Sequence, residues 1–180
     1  MKLFIISDIH GSAFYLKKAI ERYELEEADY ILILGDILYH GARNDLPKGY
    51  APKEIIEILN SHAEKIMAVR GNCESEVDQM VLKFPVTADY SNMIWNNRRI
   101  FITHGHIYND RNRVNLPEES CFLSGHTHII RAEKIDGVHY LNPGSISIPK
   151  NDNPHSYAIL EDSVFTVKTL DGEIVFEYNL

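Results

Sequence analysis

The sequence contains few cysteines, no long apolar run and no segment that resembles an export signal. Only Cys73 and Cys121 are present among 180 residues, which is too few for a disulfide framework and indicates a reducing compartment. No window approaches the ~20 consecutive apolar residues of a membrane-spanning helix. The N-terminal apolar run is short and stops at Asp8, unlike the core of a signal peptide. We therefore expect a cytoplasmic protein without a membrane partner.

Positive charge is scarce as well. Lysine and arginine number 18 against 26 aspartates and glutamates, which gives a formal net charge of −8. A surface of that sign repels nucleic acid unless a basic groove overrides it, and the chain has no run of basic residues. Apolar residues make up 44% and charged residues 24%, as in an ordinary globular protein. We expect one domain over residues 1–180, with a small substrate rather than long nucleic acid.

The first half of the chain alternates strand patterns with helix patterns. Short apolar runs predict buried strands at "KLFIIS" (2–7), "DYILILGD" (29–36) and "IMAVRGN" (66–72). Between them, residues 12–27 and 51–65 have the apolar spacing of helices, with Ser12 as a cap and Pro52 in the first turn. This order of strand, helix and strand favours parallel strands joined by crossover helices.

The second half is mostly strands and tight turns. Turn pairs at Asn96-Asn97, Asp136-Gly137 and Asp171-Gly172 separate short apolar runs and predict hairpins. There is no internal repeat and no linker. One α/β domain with two sheets accounts for both halves of the chain.

Polar residues cluster where these apolar runs end. The motifs are "SDIHG", "LGDI", "RGNCES", "THGH" and "SGHTH", and they supply Asp8, His10, Asp36, Asn72, His104, His126 and His128. A lone histidine after a strand is usually structural, and a lone Gly-Asp is usually a turn. Five such strand ends together favour a metal site, because ligands of open α/β sheets collect at the carboxyl ends of strands.

Seven candidate ligands are more than one metal needs, since a single ion takes about four to six. The pairs Asp-x-His and His-x-His lie on tight loops, so the two members of a pair can face different ions. We therefore expect two metals, with His126 and His128 on separate ions. A carboxylate can bridge two metals, and Asp36 is the candidate because it is the lone ligand of its strand end.

These motifs, in this order and at these separations, resemble the calcineurin-like metallophosphoesterase superfamily and, more closely, its small bacterial YfcE-type phosphodiesterase branch. The same branch is suggested by "GDILYHGARNDLPKGYAP", "RGNCESEVDQM" and "LNPGSISIPK". The resemblance covers nearly the whole chain and thins after about Tyr157. It implies a single metallophosphoesterase domain, a four-layer α/β/β/α sandwich of two mixed β-sheets with the site at the sheet edges.

The resemblance also implies a ligand assignment. One metal would be held by Asp8, His10, His128 and bridging Asp36, and the other by Asp36, Asn72, His104 and His126. One position departs from the wider superfamily, where many members carry a histidine that assists the leaving group and this chain has Cys73. We interpret Cys73 as a small buried thiol near the site rather than as a catalytic residue.

Three further residues are candidates for catalysis. His106, two residues after a ligand, is the nearest candidate acid for the leaving group, or else a support for the ligands. Arg43 and Arg70 are candidate clamps for a phosphate oxygen, since a guanidinium matches phosphate geometry. For both arginines, a solvated surface position is the alternative.

The predicted function is a dinuclear metal-dependent phosphodiesterase that hydrolyses a small phosphodiester by attack of a metal-bridging hydroxide. The nitrogen and oxygen donors suit Mn, Fe, Co or Zn, and the choice of Mn²⁺ comes from the resemblance. The alternatives are a phosphomonoesterase or nuclease of the same fold, and a non-catalytic binding scaffold such as the retromer subunit that resembles this fold. Apolar edge strands in the second half could also pair subunits into a homo-oligomer.

Overall fold

Two mixed β-sheets form the centre of the protein. The computed structural model describes residues 1–180. The strands are β1 (Lys2–Ile6), β2 (Tyr30–Ile33), β3 (Ile66–Ala68), β4 (Tyr90–Trp95), β5 (Arg98–Thr103), β6 (Cys121–Leu123), β7 (Ile130–Ile135), β8 (Val138–Pro143), β9 (Ser156–Glu161), β10 (Val164–Thr169) and β11 (Ile174–Asn179). The helices are α1 (Ala13–Leu25), α2 (Pro52–Ser61) and α3 (Glu76–Val81), with a 3-10 turn at Ala63–Lys65.

The strand order brings the carboxyl ends of several parallel strands together. The first sheet runs β11-β10-β9-β1-β2-β3, and β1, β2 and β3 are parallel to one another. The second sheet runs β4-β5-β6-β8-β7, in which β5, β6 and β8 are parallel. The loops that follow β1, β2 and β3 therefore leave one edge of the first sheet, and those that follow β5 and β6 leave one edge of the second.

Alternate residues of β1 pack into two different hydrophobic cores. In β1, Phe4 and Ile6 face the cluster that includes the inner sides of α1 and α2. Leu3 and Ile5 face the second cluster, in which the strands of both sheets meet. Helix α1 begins where Ser12 Oγ accepts the backbone N–H of Tyr15, which is the predicted cap.

The predicted sandwich of two mixed sheets is confirmed, and so are the parallel pairing of β1 with β2 and the hairpin turns at Asn96-Asn97 and Asp136-Gly137. The layer over the outer face of the second sheet is coil rather than helix. There Tyr108, Val114 and Leu116 pack against buried aromatic side chains of the sheet. None of the three helices has both the length and the apolar content to span a bilayer.

Candidate metal centre

The seven side chains singled out in the sequence lie together at one edge of the sandwich. Asp8 and His10 follow β1, Asp36 follows β2, Asn72 follows β3, His104 follows β5, and His126 and His128 follow β6. The first sheet thus contributes four of these residues and the second sheet contributes three. Their polar atoms form two groups that share a carboxylate.

The first group consists of Asp8, His10 and His128, all of which are buried. His128 Nε2 lies 3.3 Å from Asp8 Oδ1, and His10 Nε2 lies 3.7 Å from the same oxygen. The two imidazole nitrogens are 3.2 Å apart. These donor atoms all lie within 4.8 Å of one another, close enough to coordinate one ion.

The second group surrounds His104. Its Nε2 lies 3.2 Å from Asn72 Oδ1 and 3.2 Å from His126 Nδ1. Asp36 Oδ2 joins the two groups, because it lies 3.4 Å from His104 Nε2 and 3.6 Å from His10 Nε2. A single carboxylate therefore faces both sets of donors.

Backbone carbonyls fix the orientation of three imidazoles. The Nδ1 atoms of His10, His104 and His128 lie against the carbonyl oxygens of Tyr39, Leu34 and Ile148. Because a carbonyl only accepts, each Nδ1 carries a proton, which leaves Nε2 as the ring nitrogen that can bind a metal. This is how the second nitrogen of a metal-binding histidine is usually held.

The backbone is unusual at these positions. Five of the seven residues have positive φ angles: Asp8 (56°), His10 (47°), Asp36 (55°), His126 (66°) and His128 (60°). A left-handed conformation costs an L-residue other than glycine about 1–2 kcal/mol. Several such residues at one edge of the fold are typical of a functional site, where the surrounding structure holds strained residues in place.

The site fits a cation. Asp8 Oδ1 is buried and has no hydrogen-bond partner, although Oδ2 accepts from Ser7 Oγ and from the backbone N–H of His126. A buried carboxylate oxygen without a partner is costly unless a positive charge meets it. Burial alone raises the pKa of Asp8, but the neighbouring histidines hold it well below its ordinary value.

The imidazoles of the second group differ in their affinity for protons. Burial lowers the pKa of His104, but its contacts with Asp36 and Asp8 outweigh burial and raise the pKa to about 9. Burial and the neighbouring charge of His104 lower the pKa of His126 to about 4. A cation at this site therefore competes with a proton mainly at His104.

Two glycines allow the loops to approach one another closely. A Cβ atom at Gly125 would collide with Ser7 Oγ and Asp8 Oδ2. A Cβ atom at Gly71 would collide with Asp36 Oδ1. Both loops therefore need glycine in order to pass directly beside a carboxylate of the cluster.

A cleft of about 870 Å³ opens onto the cluster. His10, Asp36, Asn72, His126 and His128 form part of its wall. The volume is within the range of small-molecule sites, about 300–1,000 Å³.

Residues 1–163 match the protein family described as "Calcineurin-like phosphoesterase superfamily domain". The chain belongs to this superfamily. It is 45% identical to the protein named "Phosphodiesterase YfcE" of Escherichia coli strain K12, over 97% of this chain and 95% of that protein. It is 30% identical to the "Probable metallophosphoesterase YsnB" of Bacillus subtilis, over 95% of this chain and 91% of that protein.

A solved structure agrees with this superfamily assignment. The structure described as "Yfce, a phosphoesterase from E. coli" has a TM-score of 0.97 to this chain, with 44% identity and 99% coverage of both chains. The predicted family, the sandwich fold and the enzyme class of phosphoesterase are confirmed. Superfamily membership and the cluster of aspartate and histidine together imply a divalent-metal site in this chain.

The two arginines predicted to bind phosphate have different surroundings in this phosphoesterase. Arg43 lines the large cleft. Arg70 is paired with Asp89, whose Oδ1 lies 2.8 Å from Nε and 2.6 Å from a terminal nitrogen. The ring centre of His106 lies 5.4 Å from that of His104. The Nδ1 atom of His106 is buried and has no hydrogen-bond partner.

Cys73 lies beside the carboxylate of Asp36. Its backbone N–H donates to Asp36 Oδ1 at 2.9 Å, and its Sγ accepts from Asn72 Nδ2 at 3.3 Å. Burial, reinforced by the charge of Asp36, raises the pKa of the thiol above its ordinary value. The thiol is therefore neutral. It is near the site as predicted, but it is only half-buried and lines the cleft.

Sequence reasoning missed the supports of the site. The buried carboxylate of Glu74 accepts backbone N–H groups from Asp36, Ile37 and Gly71. Burial and the charge of Asp36 raise the pKa of Glu74 to about 7. The hydroxyls of Ser145 and Ser147 both donate to the carbonyl oxygen of Asp8, and Tyr39 and Lys150 also line the cleft.

All of these supports lie in stretches that the sequence had already singled out. Glu74 belongs to "RGNCES", Tyr39 to "GDILYHGARNDLPKGYAP", and Ser145, Ser147 and Lys150 to "LNPGSISIPK".

Proposed function

We propose that the protein is a dinuclear metal-dependent phosphodiesterase. The observation that carries this proposal is Asp36 Oδ2, which lies 3.6 Å from His10 Nε2 and 3.4 Å from His104 Nε2 and so faces two separate donor sets. The preference for a diester is supported by the name of the E. coli relative, "Phosphodiesterase YfcE".

The proposed ligands follow the two donor groups. One ion is held by Asp8, His10, Asp36 and His128, and the other by Asp36, Asn72, His104 and His126. The nitrogen and oxygen donors suit Mn, Fe, Co or Zn, and we propose Mn²⁺. When bound, the two cations supply positive charge against the phosphoryl oxygens and acidify the water that serves as nucleophile.

The side chains of the protein position the substrate. Arg43 and Lys150 line the cleft, which supports a role for both in binding phosphoryl oxygens or the leaving group. Arg43 is better placed than Arg70 for this role, because the guanidinium of Arg70 is engaged by Asp89. Carbonyl-held imidazoles keep the donor atoms in place without reorganisation during the reaction.

His106 is proposed to support the ligands rather than to protonate the leaving group. Burial and the neighbouring His104 and Arg70 lower the pKa of His106, so the imidazole is neutral near pH 7 and is a weak acid. Its ring packs beside the rings of His104 and His126.

Two other functions compete with this proposal. A phosphomonoesterase would use the same centre and would need cations for the extra charge of its substrate, which Arg43 and Lys150 offer. A binding scaffold of the same fold would need none of the seven donors, and their convergence here favours an enzyme.

The test compares metal-loaded wild type with Asp36→Asn and His126→Ala on an aryl phosphodiester and the matching aryl phosphomonoester, across Mn, Fe, Co and Zn. We expect Mn²⁺-dependent cleavage of the diester in wild type and a loss of more than about 100-fold in both variants, with an unchanged circular dichroism spectrum. The matched control is Asp171→Asn, at an exposed carboxylate that pairs with Lys18. Wild-type rates from both variants would reject the proposal, and a preference for the monoester would favour the first alternative.

Other features of the molecule support further proposals. Both Cys73 and Cys121 are free thiols, which supports a reducing location such as the cytoplasm. The strands of the first sheet contribute to both main cores, which supports a single domain over residues 1–180. Ile94 and Ile174 are exposed on the edge strands β4 and β11, which supports a homo-oligomer.

A further inference from the structure

A second cleft, of about 430 Å³, adjoins the metal centre. His126 and Thr127 line both this cleft and the larger one, so the two clefts share a wall at the centre itself. The rest of the second cleft includes Gly105, Ser124 and the turn that contains Asn109, Asp110 and Arg111. Nothing in the proposed reaction so far uses this space.

One unpaired cation faces the second cleft. Arg131 also lines it, but Asp110 and Glu133 neutralise its guanidinium, which stacks 4.7 Å from the centre of the Tyr140 ring. Arg111 is exposed, and its guanidinium has no ion-pair partner. The two arginines and the two carboxylates named here balance in total charge, and Arg111 is the one cation among them that no carboxylate engages.

The turn that carries Arg111 is firmly held. Asn109 Oδ1 accepts the backbone N–H of Arg111 at 2.9 Å and that of Asn112 at 3.2 Å. Asn109 Nδ2 donates to the carbonyl oxygen of Gly105 at 3.1 Å, directly after His104. Both oxygens of Asp110 accept from Arg131 at 3.1 Å. The backbone of Arg111 is thus fixed relative to the metal centre, which reduces the entropy lost when its side chain binds a ligand.

We propose that the second cleft binds the ester arm that remains on phosphorus, and that Arg111 pairs with an anionic group on this arm. The inference rests on the proposed phosphodiesterase function and names its substrate class, a diester whose retained arm is about the size of a nucleotide and ends in a phosphate or carboxylate. The two ester oxygens diverge tetrahedrally from phosphorus, so a diester bound at the shared wall directs its arms into different clefts.

The leaving arm lies in the larger cleft. Negative charge develops on the leaving oxygen, and the two cations Arg43 and Lys150 line that cleft. The retained arm then occupies the cleft of Arg111. A phosphomonoester has no second arm, so this cleft distinguishes diesters from monoesters.

The test uses three p-nitrophenyl diesters with the same leaving group and different retained arms: methyl, thymidine attached through its 5′ oxygen, and the same thymidine with a 3′-phosphate. Wild type with Mn²⁺ should show the highest kcat/KM on the 3′-phosphorylated substrate. Arg111→Gln should lower that value about 10-fold, mainly through KM, because one charged contact is lost. The same variant should leave the methyl ester unaffected.

The matched control is Arg113→Gln. Arg113 lies in the same segment, pairs with Asp136 and lines neither cleft. This variant should leave all three substrates unchanged, and Arg111→Glu should discriminate against the 3′-phosphate more strongly than Arg111→Gln. The metal content of each variant is measured before the assay.

The outcomes separate this inference from the proposed function. If wild type cleaves the methyl ester but does not favour the 3′-phosphorylated arm, the inference is overturned and the phosphodiesterase function stands. If Arg111→Gln and Arg113→Gln have equal effects, the inference is likewise overturned. If wild type cleaves none of the three diesters with any of the four metals, both proposals are overturned.

Discussion

Glu74 shows how much of the site depends on a single side chain. Its buried carboxylate accepts backbone N–H groups from the loop after β2, at Asp36 and Ile37, and from the loop after β3, at Gly71. The distance between the Asp36 carboxylate and the loop that carries Asn72 is therefore set by a residue outside the proposed ligand set.

We expect Glu74→Gln to lower the free energy of unfolding by about 2 kcal/mol, because the amide nitrogen cannot accept an N–H that the carboxylate oxygen accepts. Urea denaturation of the metal-free protein measures the change. Glu76→Gln is the control, since Glu76 is exposed at the start of α3. Equal stability of the two variants would show that the contacts of Glu74 contribute little.

The protonation of His104 makes metal binding depend on pH. Contacts with Asp36 and Asp8 outweigh burial and raise the pKa of His104 to about 9 in the metal-free protein. Only a neutral imidazole binds a metal. A metal must therefore displace this proton at pH 7. The fraction of His104 that carries the proton falls as the pH rises, so the competition weakens.

Metal affinity should accordingly increase from pH 6 to pH 9, and occupancy and activity should both fall in acid. Calorimetric titration with Mn²⁺ in buffers of different ionisation enthalpy measures the affinity and the released protons. Proton release that is absent at pH 7, or activity that is unchanged well below pH 6 at fixed metal concentration, would contradict this account.

At the scale of elements, a charged cluster that is separate from the metal centre connects the end of α1 to the first sheet. Glu26, which caps α1, accepts from Lys168 of β10 and from the hydroxyl of Tyr157 in β9. Arg22 lies 3.7 Å from the same carboxylate. Burial raises the pKa of Glu26, but these partners outweigh it and lower the pKa below its ordinary value.

A carboxylate whose pKa is lower in the folded state stabilises the protein above the unfolded pKa of about 4.5, and this contribution is lost as the pH falls through the folded pKa. We expect Glu26→Gln to destabilise the protein at pH 7 by about 1–2 kcal/mol and to have less effect at pH 3. Thermal unfolding of wild type and variant from pH 7 to pH 3 measures the difference. An effect that stays constant over this range would show that the charge of Glu26 is not involved.

The elements themselves are largely predictable from sequence. Apolar runs locate β1 and β2, Ser12 locates the start of α1, and turn residues such as Asn96 and Asn97 locate a hairpin, because each depends on neighbours in the chain. The proximity of Asp8 to His126 is also predictable, since the carboxyl ends of parallel strands lie together at sheet edges.

Other parts depend on contacts between segments that are distant in sequence, and no local pattern reveals them. Asp89 pairs with Arg70 across 19 residues, and Ser145 reaches the carbonyl oxygen of Asp8 across 137 residues. The coil that covers the outer face of the second sheet, which includes Tyr108, has no periodicity that would distinguish it from an exposed loop.

At the scale of the whole molecule, the centre joins the two sheets. Asp8, His10, Asp36 and Asn72 follow strands of the first sheet, and His104, His126 and His128 follow strands of the second. A metal that binds donors from both sheets stabilises the folded state, because the unfolded chain does not bring these donors together.

Mn²⁺ at 100 times its dissociation constant should raise the stability of wild type by about 2.7 kcal/mol for each ion bound. Removal of the metal with a chelator should reverse the increase. Differential scanning calorimetry with and without Mn²⁺ measures it, and Asp36→Asn should show a smaller increase. A melting temperature that does not respond to metal would show that the sheets are not joined in this way.

Anomalous diffraction from Mn²⁺-soaked crystals tests most directly whether two cations share Asp36. We predict two manganese peaks per chain, one among Asp8, His10 and His128 and the other among Asn72, His104 and His126, with Asp36 between them. A map with a single peak, or with none at this edge of the sandwich, would contradict it.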